Sequence, residues 1–424
     1  MTFRKAATVL TMLAILLLGH GNDGNATNAV FEQGKGYQKG AYDLSAEQPT
    51  SSNWSGQSRF LGLEKQVQKW MFSEGAGEQQ NLFYTSPVVG ADGTVYAGAD
   101  GGHLYAIKPD GTKKWAFKIN GDFSEAPVIG KGGVVYFRTT ENKLYAVNPN
   151  GTKKWVVGVG KDKLSSGISI GVDGTLYLCV SEVPNSLLIE KSYLYAINPN
   201  GTIKWKIANL RFFHAPVIGV DGTIYVVSGG KLIALLPNGR KKWECVVTSK
   251  EYPFDAFLVE NEEPKIGSDG TIYLGSQNSP EIFAILPSGK VKWKVSLKEH
   301  SWGRYVIFNA AIAADTLYVA SYDKLYAIDL KGKLKWVNPI VEGKKANITG
   351  ESLVISADGL IYWTGIYALT YESGYMAVIA FSADGKQKKL FQTTVGILSG
   401  QPALGKNRTM YFPSYKKGII AFGK

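Results

Sequence analysis

The sequence predicts an all-β fold, an eight-bladed β-propeller of four-stranded antiparallel blades, closed by an N-terminal strand that completes the last blade. Three observations predict it. One strand–turn–strand unit recurs in register eight times, and each complete unit holds four short alternating runs. The last unit ends one strand short at Lys424, while a spare strand around Lys69-Trp70 precedes the first. A period of about 40–50 residues with four strands per repeat is the propeller pattern.

The first unit shows the grammar. Ser86-Pro-Val-Val-Gly90 is a short strand, and the runs Val95–Ala99 and His103–Ile107 follow, separated by Asp-Gly-Gly. A turn at Pro109-Asp-Gly-Thr112 leads into Lys113-Lys-Trp115. Alternation between Asp-Gly turns is the hairpin signal, because Gly accepts the positive φ that tight turns need. The Asp-Gly-Thr-Xaa-Tyr element recurs at Asp92, Asp173, Asp221 and Asp269, with degenerate forms ending at Tyr136, Tyr318, Tyr362 and Tyr411. Leu-Tyr-Ala-Ile recurs at Leu104, Leu144, Leu194 and Leu325, with variants at Leu232, Ile282, Val378 and Ile419. Lys-Trp closes the unit at Trp115, Trp155, Trp205, Trp243, Trp293 and Trp336, and Leu390 fills that slot in the seventh. Such regular Trp positions point to packing against the next blade.

Repeats that bury their faces only against neighbours make one domain of residues 64–424. Before it, Arg4 and Lys5 precede an apolar run from Ala6 to Gly19 and a small, polar stretch, which reads as a signal peptide over residues 1–29. That run is short for a membrane span. Residues 30–63 carry no repeat and read as an extended lead-in segment. The expectation is a secreted or cell-envelope-associated monomer with no membrane span.

Pro-Val-Ile-Gly-Xaa-Asp-Gly-Thr-Ile-Tyr followed by Leu-Tyr-Ala-Ile-Xaa-Pro-Asn-Gly-Thr-Xaa-Lys-Trp resembles the PQQ-like (quinoprotein-like) β-propeller repeat, over roughly Lys65 to Lys424. The chain is most similar to secreted, repeat-only members from Gram-positive bacteria, which implies a binding or scaffold role. Quinone-dependent dehydrogenases of this fold carry an adjacent Cys pair, a calcium site and an Asp base. The two cysteines here, Cys179 and Cys245, are far apart, so the resemblance implies no cofactor. Two free thiols are favoured over a disulfide between them.

Antiparallel connectivity sorts the loops onto two faces. First-to-second and third-to-fourth turns share one face and are nearly all minimal Asp-Gly or Asn-Gly turns. Second-to-third loops and blade connections share the other, with insertions at 181–192, 247–263, 297–308 and 364–375. Loops on a rigid scaffold carry binding residues. These segments are rich in aromatics, and the candidate partner-binding face is Phe212, Phe213, Tyr252, Phe254, Trp302, Arg304, Tyr305, Tyr371 and Tyr375. Phe83, Tyr84, Phe123, Phe257, Tyr367, Arg211 and Glu260 belong to the same segments. Such a patch can stack on sugars or grip a partner loop. The competing expectation is that each ring plugs a gap between blades.

The first strands are expected to line a central channel with Val88, Ala126, Ser169, Ala311 and Ala403, leaving Glu263 and Lys265 as the charges there. No catalytic, cofactor or metal constellation emerges: His103, His214 and His300 fall on separate units, and each Asp-Gly-Thr offers one carboxylate where calcium needs several oxygens. The formal net charge is +12, with lysines concentrated on the Lys-Trp strands. Edge protection explains them, and attraction to an anionic cell-envelope polymer is the sharper alternative. Export and the even spread of charge disfavour nucleic acid. The sequence therefore points to a non-catalytic binding module for a protein or envelope partner. A PQQ-dependent dehydrogenase or a carbohydrate-active propeller enzyme is the alternative.

Overall fold

The computed structural model describes residues 58, 60–63, 67–74, 83, 85–160, 164–182, 191–208, 215–247, 263–276, 279–297, 309–321, 324–340, 347–368, 374–386, 388–393, 401–414 and 417–423. They form eight four-stranded antiparallel sheets arranged as the blades of a propeller. Among the described residues the single helical element is a 3-10 turn at Lys131–Gly133. Strands are counted here from the hub outward. Seven blades run consecutively along the chain, and the eighth pairs Gly418–Gly423 with Val67–Phe72, which becomes its outermost strand. The ring closes where the spare Lys69-Trp70 strand requires it to close.

The core lies between the blades. Each hydrophobic cluster mixes residues of adjacent sheets: Leu104 and Ala106 of blade 1 with Val135 and Phe137 of blade 2, or Leu325 and Ala327 of blade 6 with Leu353 and Trp363 of blade 7. The closing strand joins the cluster shared by blades 7, 8 and 1 through Phe72. Inner and middle strands are apolar on both sides because both sides meet a neighbour, whereas the outermost strands alternate exposed and half-buried residues.

The Trp slot is a latch. Trp115 stacks on Tyr96 of its own blade at 5.7 Å and donates its indole N–H to the carbonyl oxygen of Pro149 in the next blade at 2.8 Å. Trp155, Trp205 and Trp243 repeat this toward Pro199, Pro237 and Pro287, while Trp293 and Trp336 reach Leu330 and Ala383. Trp70 does the same across the closure: it stacks on Tyr411 at 5.5 Å and donates to Pro109 of blade 1 at 2.9 Å. Its ring covers Gly111, whose φ of +88° favours glycine and whose added Cβ would fall 2.6 Å from Trp70 Cγ.

The junction between blades 7 and 8 is built differently, since Leu390 occupies the Trp slot. There the lead-in chain lies across the turns of blade 7. Ser58 N–H donates to the Ile355 carbonyl, and Phe60 carbonyl accepts from Ala357 N–H at 2.8 Å. Tyr362, the counterpart of the tyrosines that elsewhere stack on Trp, donates its hydroxyl to the Leu63 carbonyl at 3.1 Å. Asp358 accepts from Gly62 N–H at 2.9 Å and pairs with Arg408 of blade 8, also at 2.9 Å. Phe60 and Leu63 are buried in the adjoining cluster. The segment just before the closing strand thus does at this junction what a Trp does at the others.

The lysines of the outer strands are largely spoken for. Lys114, Lys204, Lys242, Lys292 and Lys335 pair with Asp92, Asp173, Asp221, Asp269 and Asp315 at 2.8–3.3 Å. In the four Asp-Gly-Thr blades the Asp also accepts from the Thr two residues on, at its backbone N–H and its hydroxyl. Burial works to raise these four carboxyls, but the Thr and Lys hydrogen bonds outweigh it and hold them below the usual range. In these five blades one outer-strand lysine is thus matched by a carboxylate of its own blade, and the excess of +12 is carried by other residues.

Candidate interaction face

The tight turns and their Asp–Thr–Lys clusters occupy one face. The opposite face receives the ends of the second and third strands and the entries to the first strands, so every variable segment emerges there. Phe212, Phe213, Tyr252, Phe254, Trp302, Arg304, Tyr305 and Tyr371 lie outside the described residues. Tyr375 falls on the third strand of blade 7, where its Cα is the register partner of Tyr367 at the end of the strand pair on that face. The side chains of two aromatics of the same class are described, and both pack. Phe83 is fully buried against Phe72 and Tyr105, and Phe123 lies on Gly98 and Phe137 between blades 1 and 2.

The hub differs from expectation. Val88, Ala311 and Ala403 are 0% exposed and belong to the clusters between blades, and Ser169 donates its hydroxyl to the Pro216 carbonyl of blade 4. An innermost strand turns its backbone edge to the axis, so its alternating side chains meet the two neighbouring blades instead of the hub. What reaches the hub comes from the strand entries. Glu263 and Lys265 stand 3.8 Å apart at the start of blade 5. Glu125 and Arg138 of blade 2, which the repeat slots did not single out, join them electrostatically. Burial and the charge of Glu263 raise the Glu125 carboxyl to about 7, against the pull of Arg138. Burial also raises Glu263 itself, opposed by Lys265. Glu125 is exposed and Glu263 half-buried, both at the entries to first strands.

Arg138 ends the second strand of blade 2 (Val135–Arg138) and is 1% exposed. Burial lowers its pKa to about 10, with Glu125, Tyr195 and Cys179 acting the other way. Cys179 packs between blades 3 and 4 and Cys245 between blades 4 and 5, both as free thiols. With its only two cysteines in different interfaces, the chain lacks the vicinal thiol pair that a quinone stacks on in the dehydrogenases. Among the described residues, no group of three or more His, Cys, Asp or Glu is placed to hold a metal ion.

The family model described as outer membrane protein assembly factor BamB, built of PQQ-like repeats, matches residues 66–181 and 144–374. This chain belongs to that PQQ-like repeat family. Over 99 residues it is 36% identical to the uncharacterized protein YxaL of Bacillus subtilis (strain 168), a match covering 21% of this chain and 22% of that protein. The aligned part thus spans under a quarter of that relative's length. The crystal structure of BamB from Moraxella catarrhalis is similar with a TM-score of 0.55 at 17% identity, over 85% of this chain and 97% of that one. The C-terminal WD40 domain of Sif2 gives 0.60 at 11% identity over 86% and 99%, and the computationally designed Ika8 protein 0.59 at 7% over 87% and 100%. At these identities the solved structures are alike in fold alone. No helix among the described residues of this PQQ-like propeller is long and apolar enough to cross a membrane.

Proposed function

We propose that this protein is an exported, non-catalytic propeller that holds a protein or cell-envelope partner on its variable-loop face. One observation carries the reading: variation in length and chemistry is confined to one side of an otherwise repetitive ring. The turn face is occupied by repeated Asp–Thr–Lys clusters that satisfy themselves. The described strand ends that flank the four insertions open on the opposite face, the sequence puts most of the loop aromatics in the variable segments on that side, and Glu125, Glu263 and Lys265 stand at strand entries there. Aromatics and Arg on rigid supports are the usual anchors of an interface. The family's description as an assembly factor agrees with a partner-holding role. Export rests on the N-terminal Arg4-Lys5 and the apolar run after it.

The test is capture from a cell-envelope extract by the wild type, by Trp302→Ala/Tyr305→Ala, and by a turn-face variant, Asp110→Ala/Asn150→Ala. The reading expects the first double variant to lose capture while keeping its melting curve, with the turn-face variant unchanged. Equal capture by all three overturns the face assignment. Quinone- and calcium-dependent dye turnover would replace it with the dehydrogenase reading.

A further inference from the structure

Blade 2 buries a guanidinium, that of Arg138, that forms no ion pair among the described residues. The guanidinium of Arg138 is sealed from solvent at Nε and Nη1, and neither atom has a hydrogen-bond partner. On the residue opposite it in the strand pair, Ser124 Oγ is also buried without a partner. Ser124 donates its backbone N–H to the Arg138 carbonyl at 3.2 Å, beside an antiparallel bridge between Phe123 and Thr139. Opposed residues of an antiparallel pair project to the same side, so Ser124 and Arg138 share the face of blade 2 that meets blade 3. The Thr139 hydroxyl, likewise unpartnered, belongs to the other side with Phe123. Three of the seven sealed, unpartnered side-chain atoms of the described residues thus fall on Arg138 and Ser124. Their concentration marks a place and not a scatter of small defects.

A desolvated guanidinium is costly unless an anion meets it. Glu125, one residue beyond Ser124, is in electrostatic reach of Arg138 but forms no ion pair with it. Its side chain is exposed at the entry to the first strand of blade 2, within electrostatic reach of Glu263 at the entry to blade 5. We propose that Arg138 and Ser124 form a binding site for a carboxylate carried by a ligand, entered beside Glu125. A planar guanidinium and a hydroxyl donor match a planar monoanion. Glu125 and Glu263 close by disfavour a doubly charged phosphate. The inference takes its location from the variable-loop face, and its test uses no macromolecular partner, so either reading can fail without the other.

The experiment follows thermal unfolding of the full chain in acetate, in chloride of equal ionic strength and in acetamide, with calorimetric titration of acetate. The expected result is a saturable rise in Tm of a few degrees with acetate alone. Arg138→Met should abolish that response and melt higher than the wild type in plain buffer, because the unmatched charge is gone. Ser124→Ala, which keeps the charge, should weaken acetate binding several-fold, and it decides the matter if Arg138→Met does not fold. An amidated Gly-Glu-Gly peptide that binds at least tenfold more tightly than acetate assigns the carboxylate to an acidic side chain of a protein. Equal or weaker peptide binding assigns it to a free small carboxylate. No saturable response in the wild type, or the same response in Arg138→Met, overturns the proposal.

Discussion

Trp70, on the first described strand, donates its indole N–H to the carbonyl oxygen of Pro109 in blade 1, 2.9 Å away. This bond spans the seam of the ring, where a strand from the start of the chain has become the rim of the last blade. It repeats, at the seam, the contact that Trp115 makes with Pro149 inside the chain. The seam is thus held by the same unit as the other Trp junctions.

Trp70→Ala is expected to cost about 2–3 kcal/mol, below the range for fully buried Trp because the ring is half-buried, with roughly 1 kcal/mol of it from the hydrogen bond. Trp70→Phe should retain most of the stacking and lose mainly that last part. Urea unfolding of both variants measures the split. Equal losses would mean that the ring itself contributes nothing.

Gly111→Ala should destabilise by about 1–3 kcal/mol, since it puts a side chain at positive φ and pushes a methyl into the Trp70 ring. Gly132→Ala is the control: it also has positive φ but nothing within 4 Å, so the difference between the two reads the contact alone.

The lead-in segment is expected to protect blade 7. Gly62→Val forces a side chain against the Tyr362 hydroxyl and should dislodge the segment. Hydrogen exchange should then quicken at Ser58 and Ala357, whose amides bond across this junction, and not at Gly151 in the turn under Trp115. Unchanged exchange at Ala357 would show that the segment contributes nothing there.

Stability should depend on pH through Glu125. Its carboxyl is raised from an ordinary 4.5 to about 7 by burial and by Glu263, so between those values the folded state keeps a proton that the unfolded chain has lost. Stability must then fall as pH rises through that window. Glu125→Gln should match the wild type near pH 4 and melt higher at pH 8. The turn aspartates act in the opposite sense: Asp221 is held below its ordinary 3.8, so its contribution is present above that value and lost in acid. Asp221→Asn should cost about 0.5–1 kcal/mol at neutral pH, as expected for a half-exposed pair, and little at pH 2.

The fold was legible because Tyr96, Leu104 and Trp115 recur in fixed slots, and a slot states its partner once its role is known. Ring closure followed from the one Lys-Trp left over. The junction of blades 7 and 8 was not legible, since Phe60 and Leu63 sit in a stretch with no repeat and their partners, Ala357 and Tyr362, lie some 300 residues away. The hub was misread for a different reason. Period-2 alternation tells that Val88 and Ala403 each take a side, but not that both sides of an inner strand meet other blades. Arg138 escaped because it occupies a position where the other repeats have no charge, and Glu125 because it lies before the first strand, outside the repeated motif. A charged residue at the end of an otherwise apolar strand, Val135-Tyr-Phe-Arg138, was the signal available.

The binding function is tested most directly by mapping which amides become protected from hydrogen exchange when a captured partner is bound. Protection is predicted in residues 181–192, 247–263, 297–308 and 364–375, all on one side of the ring. Protection centred on the Asp-Gly-Thr turns at 92–94, 173–175, 221–223 and 269–271 would contradict it.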